Sequence, residues 1–293
     1  MQILDGSAAS QHIKNLLKAE TESLVKSGRR APHLAAILVG NNPASEAYVG
    51  SKVKTCHEIG YGSTLIRHGE DISEDALIRE IQELNANDEI DGILVQLPLP
   101  KHIHEQAIIN AISPDKDVDG FHPISQGKMI LGQPGFLPAT PYGILLLLEY
   151  YNIDITGKHC VVIGRSHIVG SPMSVLLSRN AHPGNATVTL CHSKTQNLSD
   201  YTLKADLIVA AIGKAEFLTA DMVPEGCIVI DVGINRVPDS SKVKGYRLVG
   251  DVDYTHVAPK CSFITPVPKG VGPMTICGLM KNTMNAYKSR MSL

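Results

Sequence analysis

The chain has 293 residues, more than one hydrophobic core usually organises, so two domains are expected. Its formal net charge of −2, with no basic stripe along any segment, leaves nucleic acid without the electrostatic footprint it needs. No apolar run approaches the roughly 20 residues of a membrane span, and Met1-Gln2-Ile3-Leu4-Asp5 lacks a basic-then-apolar signal; a cytoplasmic protein acting on small metabolites is expected, with no membrane partner.

The first half alternates strand and helix signals. A short apolar strand is predicted over 34–39, a helix over 44–59 and a second strand over 62–67, which together imply a parallel α/β layout. Ser73 opens a helix with acidic residues in its first turn, and Leu77, Ile81 and Leu84 follow at helical spacing. A strand over 92–97 stops at Pro98, a short helix is expected over 104–112, and 113–135 reads as a long loop punctuated by Gly and Pro. An apolar helix over 143–151 then precedes a second alternating series, with strands over 158–163, 186–190, 206–211 and 227–232. A Pro/Gly-rich loop over 265–273 leads to a closing helix from 274 to about 289.

The second series carries the most informative segment, Ile163-Gly164-Arg165-Ser166-His167-Ile168-Val169-Gly170-Ser171-Pro172, between an apolar β-branched run and a helix. A strand that ends in glycine and turns into a helix offers backbone N–H groups and the positive end of a helix dipole to an anion, as a dinucleotide pyrophosphate requires. NAD sites place an Asp or Glu about 20 residues further on to hold the ribose 2′-hydroxyl. Here Cys191-His192-Ser193-Lys194-Thr195 stands in that place instead. Hydroxyls and a cation there, with Arg165 from the turn, suit a 2′-phosphate and favour NADP over NAD. Taken alone, Ser193-Lys194-Thr195 reads more readily as a polar loop that only caps a helix, and it is Arg165 that turns the balance toward the phosphate.

In the first half, Tyr48 and Lys52 lie four apart on the 44–59 helix, so their side chains share one face. A lysine held against apolar surroundings has its charged form disfavoured and becomes an acid/base near neutral pH, while tyrosine offers a ring for a flat heterocycle. Gln96 ends an apolar strand, where a buried amide needs a partner such as an ammonium group. Asp119, in Lys116-Asp117-Val118-Asp119-Gly120, could accept two N–H bonds from an amino-pyrimidine edge, although acidic turn residues also cap backbone. The six cysteines are scattered without a C-x-x-C pair, and His102 and His104 lack a third ligand, so neither a disulfide framework nor a metal site is expected.

Tyr48-x-x-x-Lys52, Val95-Gln96-Leu97-Pro98-Leu99-Pro100, Lys116-Asp117-Val118-Asp119-Gly120, Gly164-Arg165-Ser166, Cys191-His192-Ser193 and Gly270-Val271-Gly272-Pro273-Met274-Thr275 occur in one order along the chain. In that order the chain resembles the bifunctional methylenetetrahydrofolate dehydrogenase/cyclohydrolase family over essentially its whole length. The resemblance implies two α/β domains with a cleft between them: a catalytic folate-binding domain over 1–140, completed by a helix over 274–293, and a Rossmann-type NADP domain over 141–273. It implies a homodimer that oxidises 5,10-methylenetetrahydrofolate with NADP and hydrolyses the methenyl product to 10-formyltetrahydrofolate, on substrates that include polyglutamylated forms. Lys52, Gln96, Tyr48 and Asp119 are its catalytic candidates. Folate would contact these four with Leu97, Pro98, Pro266, Gly270, Gly272 and Pro273, and NADP would contact Gly164, Arg165, Ser166, Ile168, Ser193, Thr195, Gly213 and Ile234.

One departure is visible: Pro268-Lys269-Gly270 stands where the family usually has Pro-Gly-Gly. If that position needs a positive φ, lysine is strained there, and its cation would then be expected to draw the folate's glutamate carboxylates. A short-chain dehydrogenase also uses Y-x-x-x-K, but it places its nucleotide glycines at the N-terminus, ahead of that pair. A non-catalytic NADP- or folate-binding module is the remaining alternative, and the retention of all four polar candidates speaks against it.

Overall fold

The computed structural model describes residues 1–242 and 245–292. The chain opens with β1 (Gln2–Ile3), α1 (Gly6–Lys26), β2 (His33–Val39), α2 (Pro43–Ile59), β3 (Gly62–His68), α3 (Glu74–Ala86), β4 (Gly92–Val95), α4 (Glu105–Ala111) and α5 (Pro123–Ile130). It continues through α6 (Ala139–Tyr150), β5 (His159–Ile163), α7 (Gly170–Ser178), β6 (Thr187–Cys191), α8 (Ser199–Thr202), β7 (Leu207–Ala210) and β8 (Ile228–Asp231). The remainder is β9 (Asn235–Pro238), β10 (Tyr246–Val249), α9 (Tyr254–Val257), β11 (Phe263–Ile264) and α10 (Val271–Arg290). Two compact units result: residues 11–139 with 276–293, the first unit, and residues 1–10 with 140–275, the second.

The first unit holds a parallel sheet in the order β3-β2-β4. Its central strand is buried from Leu34 onward, as a strand covered on both faces must be, and reads as a continuous apolar run. Helix α3 starts on the Ser73 hydroxyl, which accepts the Ala76 amide at 3.2 Å, and sends Leu77, Ile81 and Leu84 into a core shared with Ile37, Ile93 and Ile108. The part of α10 from residue 276 packs Met280, Met284 and Tyr287 into this unit's interior, where Tyr61 donates its hydroxyl to the Met280 carbonyl at 3.2 Å.

The second unit holds six parallel strands in the order β1-β11-β8-β7-β5-β6. Chain order reverses at β5, which lies between β6 and β7, and ligands of open parallel sheets collect beyond the strand ends at such a point. Residues 1–10 group with this unit, because Gln2 and Ile3 pair with Phe263 and Ile264 and so add the outermost strand.

Three local expectations change. The 113–135 stretch is not all loop: α5 forms there because Pro123 sits at the first helical position and the His122 ring nitrogen Nδ1 accepts the Ile124 amide at 3.0 Å. Helix α1, which periodicity reading passed over, is capped by Asp5, whose Oδ1 accepts the amides of Ser7 at 2.8 Å and Ala8 at 3.2 Å. The closing helix begins three residues early, at Val271, so Gly272 and Pro273 belong to its first turn rather than to a loop. No helix among the described residues is long and apolar enough to cross a membrane.

Candidate active site

In the first unit, three of the candidates meet. Helix α2 is fixed at its start by Asn42, whose Oδ1 accepts the amides of Ala44 at 2.9 Å and Ser45 at 3.2 Å. Val49, Cys56 and Ile59 anchor its inner face, and Lys52, on the same buried side, is only 3% exposed. Strand β4 ends at Val95, yet the Gln96 amide still donates to the Ile37 carbonyl at 2.9 Å, so Gln96 keeps the strand's direction. The Lys52 Nζ donates to Gln96 Oε1 at 3.1 Å and stands 4.7 Å from the centre of the Tyr48 ring. Gln96 Nε2 donates in turn to the Leu97 carbonyl at 2.7 Å, which fixes the amide with its oxygen toward the lysine.

Asp119 joins this group through its charge. The segment before it is held beside β4, where the Ile93 amide donates to the Lys116 carbonyl at 2.8 Å. Asp117 closes the following turn by accepting the amides of Phe121 at 3.2 Å and His122 at 2.9 Å. From α10, the Asn282 side-chain amide donates to the carbonyls of Val118 and Leu137, each at 2.8 Å. The backbone on both sides of Asp119 is thereby bonded, while its own carboxyl receives no hydrogen bond among the described residues. Burial lowers the Lys52 pKa, and the negative charge of Asp119 opposes that shift. Burial likewise raises the Asp119 pKa, and the Lys52 charge holds it back.

This is a set of groups suited to proton transfer. A lysine with a depressed pKa gives up its proton more readily than a solvated one, a glutamine oxygen fixes where its protons point, and an open carboxyl waits for N–H donors. Leu97 and Pro98 follow Gln96 and border the same strand end, Pro98 exposed. His102 and His104 are engaged elsewhere, with the Ile72 carbonyl at 2.9 Å and with Glu74 at 2.9 Å.

The second unit carries the nucleotide candidates. Gly164 follows β5 with φ +115°, and a Cβ there would lie 2.1 Å from the Ala211 carbonyl oxygen at the end of β7. Only glycine lets the turn cross the strand ends this closely. Ser166 Oγ accepts the Val169 amide at 3.1 Å in the turn that leads into α7, so its hydroxyl oxygen already has a structural task. The amides of Arg165, Ser166 and Ile168 have no carbonyl partner among the described residues, and all three residues are exposed. At the tip after β6, Thr195 Oγ1 accepts the His192 amide at 2.9 Å, and His192 Nδ1 accepts that of Lys194 at 3.2 Å. Thr195 therefore shapes the turn, while Ser193 and Lys194 stay exposed.

Neither Arg165 nor Lys194 has a carboxylate partner among the described residues. Unpaired backbone N–H groups beside two unpaired cations match the pyrophosphate and 2′-phosphate of NADP. Gly213, at φ +71°, is exposed in the loop after β7, and Ile234, 58% exposed, follows β8. Ile234 lines a pocket of about 260 Å³ together with Pro266, Gly270, Gly272 and Pro273. These four folate candidates thus sit in the second unit beside a nucleotide candidate, whereas Tyr48, Lys52, Gln96, Leu97, Pro98 and Asp119 sit in the first.

Lys269 lines the same pocket with φ +82°, the left-handed region that lysine enters only with strain. A Lys269→Gly variant is expected to be more stable by ~0.5–1 kcal/mol in equilibrium denaturation, after the greater freedom of glycine in the unfolded chain is offset. Unchanged or lower stability would show that the backbone there is not strained. Sequence reasoning passed over two residues nearby, the buried Asp231 and Asp251, because a lone aspartate after an apolar strand has no signature that separates it from a turn residue.

Comparison with known proteins bears on both units. A sequence model described as "Tetrahydrofolate dehydrogenase/cyclohydrolase, catalytic domain" matches residues 4–119, and one described as "Tetrahydrofolate dehydrogenase/cyclohydrolase, NAD(P)-binding domain" matches residues 138–291. The chain is 60% identical over 290 residues to a bifunctional protein FolD of Flavobacterium johnsoniae, covering 99% of this chain and 98% of that protein. It is 58% identical over 286 residues to that of Cytophaga hutchinsonii, covering 98% and 99%. Among solved structures, it is similar to the FolD methylenetetrahydrofolate dehydrogenase/cyclohydrolase of Campylobacter jejuni, with TM-score 0.93, 50% identity and 99% of each chain covered. It is also similar to the Trypanosoma brucei enzyme complexed with NADP cofactor and inhibitor, with TM-score 0.92, 36% identity, and 99% and 98% covered.

Proposed function

Because the chain belongs to the tetrahydrofolate dehydrogenase/cyclohydrolase family, we propose that Lys52, Gln96, Tyr48 and Asp119 carry its chemistry and that the turn after β5 holds its NADP. The enzyme oxidises 5,10-methylenetetrahydrofolate to the methenyl form and hydrolyses that to 10-formyltetrahydrofolate. NADP, when bound, takes up the hydride from the methylene carbon. What the chain supplies to that step is placement of the folate, which needs no proton transfer.

Hydrolysis is different, because water must lose a proton as it adds to the methenyl carbon, and N5 must gain one as its bond to that carbon breaks. The observation that carries the assignment is the Lys52 Nζ held at 3.1 Å from Gln96 Oε1 and 4.7 Å from the Tyr48 ring, with burial depressing its pKa. In its neutral form Lys52 takes one proton from the attacking water and hands it to N5, and the water's second proton leaves to solvent as the formyl carbonyl forms. The cationic methenyl form and water thus give neutral 10-formyltetrahydrofolate and one released proton. Gln96 keeps the amine aimed, Tyr48 offers its ring to the folate, and Asp119 accepts N–H bonds from the pterin edge. Leu97 and Pro98 border the folate in this reading, and Pro266, Gly270, Gly272 and Pro273 line its remaining contacts.

One spectrophotometric experiment tests the whole: purified protein with 5,10-methylenetetrahydrofolate, NADP and NAD in parallel, recording reduced nicotinamide and the methenyl intermediate together. NADPH formation with little methenyl accumulation is expected; no turnover with either cofactor would leave only a binding module. In the same assay Arg165→Ala is expected to raise the KM for NADP ~10–100-fold and to leave that for NAD unchanged, the loss of a charge-assisted contact to phosphate. Equal effects on the two cofactors would remove Arg165 from the 2′-phosphate site.

The six cysteines are all buried free thiols, which supports a cytoplasmic location, where such thiols stay reduced. Lys269, exposed beside the pocket that Ile234 lines, is the cation that would draw the carboxylates of polyglutamylated folate. Lys269→Gly then loses affinity for polyglutamylated folate and keeps it for the monoglutamate. A homodimer is part of the reading on family grounds, checked by light scattering of the eluting protein.

A further inference from the structure

Two segments of the second unit, the 212–214 loop after β7 and the start of β9, converge on one buried carboxylate. Asp251, fully inaccessible, accepts the amides of Ile212 at 2.6 Å, Gly213 at 2.8 Å and Lys214 at 2.9 Å, and the side-chain amide of Asn235 at 2.9 Å. Its own amide donates to Oδ1 of the buried Asp231 at 2.8 Å. Asp231 in turn accepts the amides of Gly233 and Val252, each at 3.1 Å. The two carboxylates fit because glycine faces each of them: a Cβ on Gly233 would lie 2.1 Å from Asp251 Oδ1, and one on Gly250 would lie 1.7 Å from Asp231 Oδ2.

Three successive N–H groups aimed at one point form an anion nest of the kind that binds phosphate. Here the protein's own anion fills it. We propose that Asp251 is a positioning residue for the dinucleotide: it shapes the 212–214 loop and, through Asn235, fixes the residue that follows Ile234, so that both walls stand ready before NADP arrives. This rests on the reading that Gly213 and Ile234 border the cofactor. It also confines the cofactor's phosphates to the amides of the turn after β5, since those of 212–214 are taken.

An Asp251→Asn side chain has the same shape, but its NH₂ would face N–H donors and lose half of the acceptor set. In the full-length enzyme this variant is expected to raise the KM for NADP at least ~tenfold, with kcat at saturating NADP within ~threefold of the parent. Hydrolysis of 5,10-methenyltetrahydrofolate, assayed without NADP, should stay within ~twofold, a split that general destabilisation would not produce. An unchanged KM for NADP, or a parallel fall of both activities, would overturn the proposal.

Should Asp251→Asn not fold, Asn235→Ala removes one of the four donors, leaves the three backbone bonds, and is expected to raise the same KM ~threefold. No rise would count equally against Asp251. Arg165→Ala run alongside separates the two possible failures. If it raises the KM for NADP while the Asp251 and Asn235 variants do not, the cofactor reading stands and the positioning role falls; if none of them does, the cofactor site itself is wrongly placed.

Discussion

Replacing Lys52 with methionine is expected to lower the rate of methenyl hydrolysis by ~10²–10⁴-fold, the range over which a positioned general base contributes. Methionine matches the length and apolar stem of lysine but neither accepts nor returns a proton, so packing in the interior of α2 is kept while the chemistry is lost. The dehydrogenase step is expected to fall less, because hydride transfer depends on placement more than on proton transfer. A pH profile gives the sign independently. Burial depresses the Lys52 pKa, so in the parent enzyme the neutral base accumulates, and hydrolysis accelerates, as pH climbs through that lowered value. In the variant this limb should be flat. Hydrolysis within ~tenfold of the parent, with the limb retained, would pass the role to another group.

The sequence carried the architecture because both sheets are parallel and buried. Strands such as β2 and β5 show as unbroken apolar runs, and helices with one buried face, such as α3, show as spaced leucines and isoleucines. The elements that escaped reading have other causes. Helix α5 buries only Ser125 and Met129, too few positions for a period to emerge. Helix α1 begins with glycine, serine and alanine, and its start is marked by Asp5 alone. Strands β1 and β11 are two residues each, below any pattern length, and exist because their backbones complete a sheet edge.

At the site, the Tyr48 and Lys52 pairing was legible from a spacing of four, which helical geometry converts directly into a shared face. That Gln96 accepts the lysine's hydrogen bond was legible in kind, since a polar residue ending an apolar strand needs a partner, though the choice of partner depends on the register of β4 against β2. The task of Asp251 was not legible at all. It arises from four donors, three on the 212–214 loop and one on Asn235 at the start of β9, neither adjacent to Asp251 in sequence, and nothing local distinguishes that aspartate from Asp253 two residues on.

Asp119→Asn should have the second largest effect, lowering kcat/KM for both folate reactions by ~10²–10³-fold, the loss of two charge-assisted hydrogen bonds to the pterin. Among the described residues the carboxyl receives no hydrogen bond although the backbone around it is bonded, so its acceptor capacity is available to a ligand. An amide in that place would turn an NH₂ toward ligand N–H donors, which is worse than a simple vacancy, and Asp119→Ala should therefore be no more damaging than Asp119→Asn. The substitution also reaches Lys52. With the Asp119 charge removed, nothing opposes the effect of burial on the lysine, its pKa falls further, and the rising limb of hydrolysis moves to lower pH. A structural or purely steric role for Asp119 would weaken folate binding without moving that limb. Loss of binding and an acid shift together are what the pair of opposed charges requires; a limb that stays in place would mean that Asp119 and Lys52 act independently.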